Sequence, residues 1–250
     1  MKAHRLTDPI VVLIGLLVLW QLCHELAGDV AITAPWATFL HLVEMFKSGR
    51  IWPHLLETVH AFAVALLIAI GGGIGIGVLI GSKRLALDVS EPILIALYSM
   101  PKITLYPVIL LCFGLGLSAK IAFGVLHGII PVILFTLAAI KGINAIYFRL
   151  SRTMRLSTAD TIRHVIVPAA LPGVFSGIRI GFSLTFLGTM ISEMFAAQRG
   201  LGYMIITAVE LAQAKTILAV ILLVSIFAIG ANIALLAIER RLNRGAQARQ

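Results

Sequence analysis

Charge is scarce in this chain, so each place where it gathers is a candidate for chemistry. Of 250 residues, 60% are hydrophobic and 12% charged. The densest gathering is RLSRTMRLSTADTIRHVIVPAALPG, Arg149 to Gly173, which carries Arg149, Arg152, Arg155 and Arg163. An oily chain that keeps so polar a run is holding it out in water, where it can dock a partner that supplies energy. A solvated loop explains the arginines alone, but not the apolar stripe beside them (Leu150, Met154, Ile162, Val165, Ile166). The second set is charge inside apolar runs: Lys102 with Ser99, Thr104 and Tyr106 nearby, then Arg179 and Glu193. Within a membrane such residues either snorkel to the headgroups or form a polar patch on a translocation path.

Other chemistry is missing. The glycine-rich run GGGIGIGVLIG has neither the G-x-x-x-x-G-K-[ST] phosphate loop nor the dinucleotide pattern G-x-G-x-x-G. Gly73, Gly77 and Gly81 stand four apart instead, a helix face that lets a second helix come close in lipid. The seven histidines are scattered, and Cys23 and Cys112 sit in apolar runs, so no metal site is expected. There is no G-x-S-x-G nucleophile and no intramembrane carboxylate pair of the kind a proton pump uses. A chain without these is a passive pore, borrows its energy, or couples to sodium through backbone carbonyls.

The elements that position these residues are membrane helices. A span needs about 20 apolar residues, and six stretches qualify: roughly 9–27, 58–81, 92–113, 119–140, 173–194 and 215–238. The expected fold is an all-α integral membrane protein, a single transmembrane domain over residues 1–250 with six spans and both termini cytoplasmic. With the N-terminus inside, inner segments hold Lys2, Arg5, Lys83, Arg84, Lys141, Arg149, Arg152, Arg155, Arg163, Arg240, Arg241, Arg244 and Arg249. Outer segments hold Lys47, Arg50, Lys120, Arg199 and Lys215, so the net charge of +9 reflects cytoplasmic loops rather than nucleic acid. Pro92, Pro101 and Pro107 predict a kinked or broken third span. In the 142–172 loop, Asn144 predicts a helix start, with that helix running to about Arg155. Ser157 and Asp160 start a second helix, which should end near Val167 because Pro168 follows.

Beyond this physical reading, four stretches carry a resemblance. VIVPAALPGVFSGIRIGFSL, SEMFAAQRGLGYMI, SMPKITLYPVILLCFGLG and HLLETVHAFAVALLIAIGGGIGIGVLIG are similar to the permease subunits of bacterial ABC importers, in the nitrate/sulfonate/taurine branch. The resemblance covers nearly the whole chain. It implies a type I ABC-importer permease fold in the bacterial cytoplasmic (inner) membrane. It implies a second permease chain, identical or paralogous, two ATP-binding subunits that hold ATP and Mg, and an extracytoplasmic solute-binding protein. This chain itself is then non-catalytic and binds no cofactor. The 142–172 segment corresponds to the EAA loop, whose coupling helix sits in a groove of the ATPase. The docking residues expected are Arg149, Arg152, Arg155, Ser157, Thr158, Ala159, Asp160, Thr161, Ile162, Arg163 and His164; the path residues are Ser99, Lys102, Thr104, Tyr106, Arg179 and Glu193. The pattern E-A-A-x-x-x-G is altered, with Arg149, Leu150 and Ser151 at its first positions and Arg155 at its glycine. The bend is therefore expected to move to Leu156-Ser157, and the ATPase groove to be changed toward acidic. The competing reading is a self-contained channel or ion-coupled carrier.

Overall fold

The structure, a computed structural model, describes the backbone of residues 4–247; the side chains of 4–10, Arg84, Thr158, Ala196 and 243–247 lie outside the description. Lys2, Arg5, Arg84, Arg244 and Arg249, which enter the charge count, and the docking candidate Thr158 fall in that set.

Every described element is a helix. The chain runs α1 (His4–Ala27), α2 (Pro35–Lys47), α3 (Trp52–Gly81), α4 (Arg84–Ser99), α5 (Tyr106–Phe113), α6 (Leu117–Lys141), α7 (Ala145–Thr153), α8 (Thr158–Thr161), α9 (Val167–Ala196), α10 (Leu201–Glu210) and α11 (Ala214–Gln247). The centre is α6, flanked by α3 and α9. Lipid is as apolar as a leucine side chain, so helices in a membrane associate through close packing rather than hydrophobic drive. Val132 of α6 shows how this is done. A Cβ at Gly73 would lie 2.6 Å from the Val132 Cβ, and one at Gly181 would strike its other methyl. Farther along the same seam, a Cβ at Gly77 would lie 2.6 Å from the Thr136 Cβ, and Gly81 faces Ile140. The Thr136 hydroxyl donates to the Val132 carbonyl at 2.7 Å, so the buried seam holds no unmatched hydroxyl there.

Among the described residues, four helices are long and apolar enough to span: Trp52–Gly81, Leu117–Lys141, Ala159–Phe195 and Ala214–Leu242. A fifth arises if α4 and α5 count as one, while Val11–Ala27 is a shorter apolar helix. Among the described residues this makes four spans, or five with the bent pair counted as one, against the six expected. The expected span over 92–113 is two helices meeting at 88°. Met100 is extended, with ψ 138, because it precedes Pro101, and α4 stops at Ser99. A 3-10 turn over Lys102–Leu105 follows, and Pro107 then sits in the first turn of α5, where its missing N–H costs nothing. Pro92 lies inside α4 without ending it.

The second helix of the 142–172 loop does not end near Val167. α8 continues through a π turn, Ile162–Ile166, directly into α9. The Val167 N–H bonds to the Ile162 carbonyl, one residue farther back than in an α-helix. That wider register relieves the clash between the Pro168 ring and the preceding turn that would otherwise break the helix. The second half of the loop is thus continuous with a spanning helix.

Candidate functional site

The 144–166 segment folds as a knob. Asn144 Oδ1 accepts the Ile146 N–H at 2.9 Å and starts α7. The helix closes with the Arg155 N–H on the Arg152 carbonyl and the Leu156 N–H on the Ser151 carbonyl, both at 3.0 Å. This paired closure demands a left-handed residue, and Arg155 supplies it at φ +51. The bend therefore stays at Arg155 and does not shift to Leu156-Ser157: the hydrogen-bond pattern fixes the position whatever the side chain. Ser157 Oγ then accepts the Asp160 N–H at 3.1 Å and donates to the Asp160 carboxylate at 2.6 Å, which starts α8. Arg149, Arg152, Arg155, Ala159, Arg163 and His164 are exposed, and Thr161 is half-buried. So are four large apolar side chains exposed: Ile146, Leu150, Met154 and Ile162.

At the opposite end of α9 lies a buried polar tie. Glu193 is 0% exposed, Lys120 2% and Thr58 2%. Three consecutive backbone N–H groups find side-chain acceptors here. Gly200 donates to His54 Nδ1 at 3.2 Å, Leu201 to Thr58 Oγ1 at 2.8 Å and Gly202 to Glu193 Oε2 at 3.0 Å. The Thr58 hydroxyl in turn lies 2.9 and 2.8 Å from the two Glu193 oxygens. The Lys120 ammonium donates to the Arg199 carbonyl at 2.7 Å and to Glu57 at 3.0 Å, and stands 4.0 Å from Glu193 Oε1. Gly200 takes φ +126, and a Cβ there would run into the Glu193 carboxylate. The carboxylate also faces the N-terminus of α10, where the helix dipole favours negative charge. The tie joins α3, α6, α9 and α10.

The six path candidates do not share one environment. Tyr106 is buried; its hydroxyl donates to the Ser192 carbonyl at 2.9 Å and its ring meets Phe123 edge-on at 4.9 Å. Glu193 belongs to the tie. Both therefore position backbone and do not line an open face. Arg179 pairs with Glu239 of α11 at 2.9 Å, and Ser176 donates to the other Glu239 oxygen. Ser99 and Thr104 are exposed and Lys102 partly so, beside the break after α4. Their hydroxyls are committed to the carbonyls of Ile95 and Pro101. Lys102 folds back onto the Tyr98 carbonyl at 2.9 Å, over the Tyr98 ring, and so places positive charge on the C-terminal end of α4.

Residues 73–245 match the family model of the binding-protein-dependent transport system inner membrane component. The chain belongs to this family. It is 31% identical over 215 residues to the putative aliphatic sulfonates transport permease protein SsuC of Bacillus subtilis, covering 84% of this chain and 77% of that protein. It is 30% identical to the taurine transport system permease protein TauC of Escherichia coli, covering 79% and 72%. The nitrate import permease protein NrtB of Synechococcus elongatus is 26% identical, covering 76% and 71%. In fold it is similar to a chain of the inward-facing MetNI methionine ABC transporter, with TM-score 0.64, 22% identity, and 77% and 94% of the two chains covered. The fold is that of type I ABC-importer permeases.

Sequence reasoning missed Thr58, His54 and Glu57, and counted Lys120 as a loop charge. Lys120 stands just inside the expected span 119–140, but its partners lie far away in sequence.

Proposed function

We propose that this chain is the transmembrane subunit of an ATP-driven importer for a small anionic or polar organic solute. The observation that carries this is the knob. It is exposed, presents apolar and basic side chains together, and is welded to spanning helix α9 by the π turn. A partner that pulls on such a knob moves α9 directly. The partner is an ATP-binding subunit, two per transporter, with ATP and Mg held there; a second permease chain and an extracytoplasmic binding protein complete it. The knob and both termini face the cytoplasm of a bacterium, the tie faces outward, and α1 supplies a sixth span beside the bent α4–α5 pair.

The solute path runs along the exposed face at the α4–α5 break. Two Lys102 N–H groups remain beyond the one bound to Tyr98, and they suit an oxyanion; Ser99 and Thr104 shape the same face. Arg179, nearer the knob end, has its charge balanced by Glu239 and ties α9 to α11. The relatives named for sulfonates, taurine and nitrate fit this chemistry. Reconstitution tests the reading. Vesicles holding this chain, its ATP-binding subunit and its binding protein should take up a sulfonate or nitrate only with ATP inside. Uptake by this chain alone would favour the channel or carrier.

A further inference from the structure

Among the described residues, two that are not glycine take a left-handed backbone, Arg155 at φ +51 and Ala212 at φ +52. The two turns are built alike. Ala212 N–H bonds to the Val209 carbonyl and Gln213 N–H to the Ala208 carbonyl, the same pairing that closes α7 around Arg155. Glycine fills such a position without the steric cost that any Cβ brings. At Arg155 the side chain is long, charged and exposed, and among the described residues its guanidinium makes no hydrogen bond or ion pair to offset that cost.

Its surroundings indicate what does. Arg149, Arg152, Arg155 and Arg163 are all exposed, and the knob's one carboxylate, Asp160, is taken up by Ser157. Ile146, Leu150 and Met154 recur every four residues along α7 and its C-cap, and all three are exposed. A socket for this surface needs an apolar floor and a rim of carboxylates. Guanidinium forks suit such carboxylates when their backbone is held in one geometry. The knob is held so by its paired closure at Arg155 and by its caps at Asn144 and Ser157. An anionic lipid surface would also accept arginines and leucines, but makes no demand for a strained, locked turn.

We infer that the ATP-binding partner has an acidic socket, and that Arg155 is kept in its strained turn because its guanidinium pairs with a carboxylate there. This rests on the importer reading above. The test uses the complete transporter, tagged on this chain, extracted in detergent and washed at rising salt while the retained ATP-binding subunit is measured. Arg155→Gly relaxes the turn, so it should fold at least as well, yet bind the subunit about tenfold more weakly, the worth of one charge-assisted hydrogen bond. Arg155→Lys should fall between, because it keeps the charge and loses the fork. Ala212→Gly relieves the same strain elsewhere and should leave binding unchanged. Arg155→Glu should release the subunit, and replacing a socket carboxylate by arginine should restore it. Wild-type retention and salt dependence in Arg155→Gly would overturn the inference while leaving the importer reading intact. So would a loss confined to binding of phosphatidylglycerol vesicles. A wild-type chain that retains no ATP-binding subunit at all would end both.

Discussion

The two ends of α9 treat their polar groups in opposite ways. At the 193–202 end, a carboxylate, an ammonium, a hydroxyl and an imidazole are held against backbone amides and a carbonyl, with Glu193, Lys120 and Thr58 fully buried. At the 144–166 end, guanidinia and large apolar side chains stand in solvent around a turn that prefers glycine. The first arrangement satisfies its buried groups within the chain and fixes where α10 starts. The second is capped and closed by its own backbone hydrogen bonds and outwardly unmatched. One helix joins them, so on the proposed reading a displacement of the knob would be carried along α9 to the buried tie. Stability should therefore depend on the tie and partner binding on the knob, and substitutions can separate the two.

The largest effect expected is at Glu193. Glu193→Ala leaves the Gly202 N–H and the Thr58 hydroxyl without their acceptor, and Lys120 with only Glu57 to balance its charge. Breaking a buried charged network by removing one partner costs about 3–5 kcal/mol. Thermal unfolding in detergent should show that loss. Glu193→Gln, which keeps an acceptor oxygen, should lose clearly less. If alanine and glutamine were equally mild, the tie would not be what holds α10. Next comes Gly77→Leu, which forces a side chain into the Thr136 contact on α6. Overpacking a close seam costs about 1–3 kcal/mol, and the same assay reads it. A similar loss from Gly15→Leu, where a Cβ meets open space, would show that the assay is not reporting helix packing.

Smaller, and of opposite sign, is the relief of backbone strain. Glycine at a left-handed position recovers about 1–2 kcal/mol of steric cost, offset by about 0.5–1 kcal/mol of extra freedom in the unfolded chain. Arg155→Gly and Ala212→Gly should each stabilise by up to about 1 kcal/mol, seen as a raised midpoint. Equal gains would show that the two turns differ in what their side chains meet, not in how the backbone is built. A loss of stability at Arg155 alone would mean that its guanidinium already has a partner within this chain.

These contrasts also mark what could be read from sequence. Asn144, Ser157 and Asp160 act within three residues of themselves, so their caps follow from local chemistry. Pro101 breaks its span through the residue just before it, again a local effect. The tie is different. Lys120 meets Glu57 and Arg199 across 63 and 79 positions, and nothing near Lys120 in sequence says that its charge is buried. The bend was misplaced for a related reason. Residue preference argued against arginine in a left-handed turn, but backbone hydrogen bonding decided the position. Proline preference likewise argued for a helix end near Val167, and the π turn carried the helix past it. In each case a local preference yielded to bonds it could not foresee.

The smallest stability effect and the largest functional one should fall on the same residue. Ile162 is 47% exposed at the start of the π turn, so Ile162→Asp removes little packing and should shift the unfolding midpoint by no more than about 0.5 kcal/mol. It is one of the exposed apolar residues of the knob, where a carboxylate would face any floor that receives them. In a socket that excludes water, an unpaired carboxylate costs far more than it does in solvent. The variant should therefore insert and fold as the wild type does, yet lose ATP-driven uptake and retain little of the ATP-binding subunit. His164→Asp is the companion: His164 Nδ1 lies 3.1 Å from the Asp160 carbonyl, and a carboxylate there replaces a possible donor with a repelled acceptor. It should weaken binding through the shape of the knob rather than its floor. If Ile162→Asp retained normal uptake, the exposed apolar stripe would be idle and the division of labour between the two ends of α9 would fail. If it instead unfolded like Glu193→Ala, Ile162 would be part of the chain's own packing, and the knob would no longer be the unmatched end.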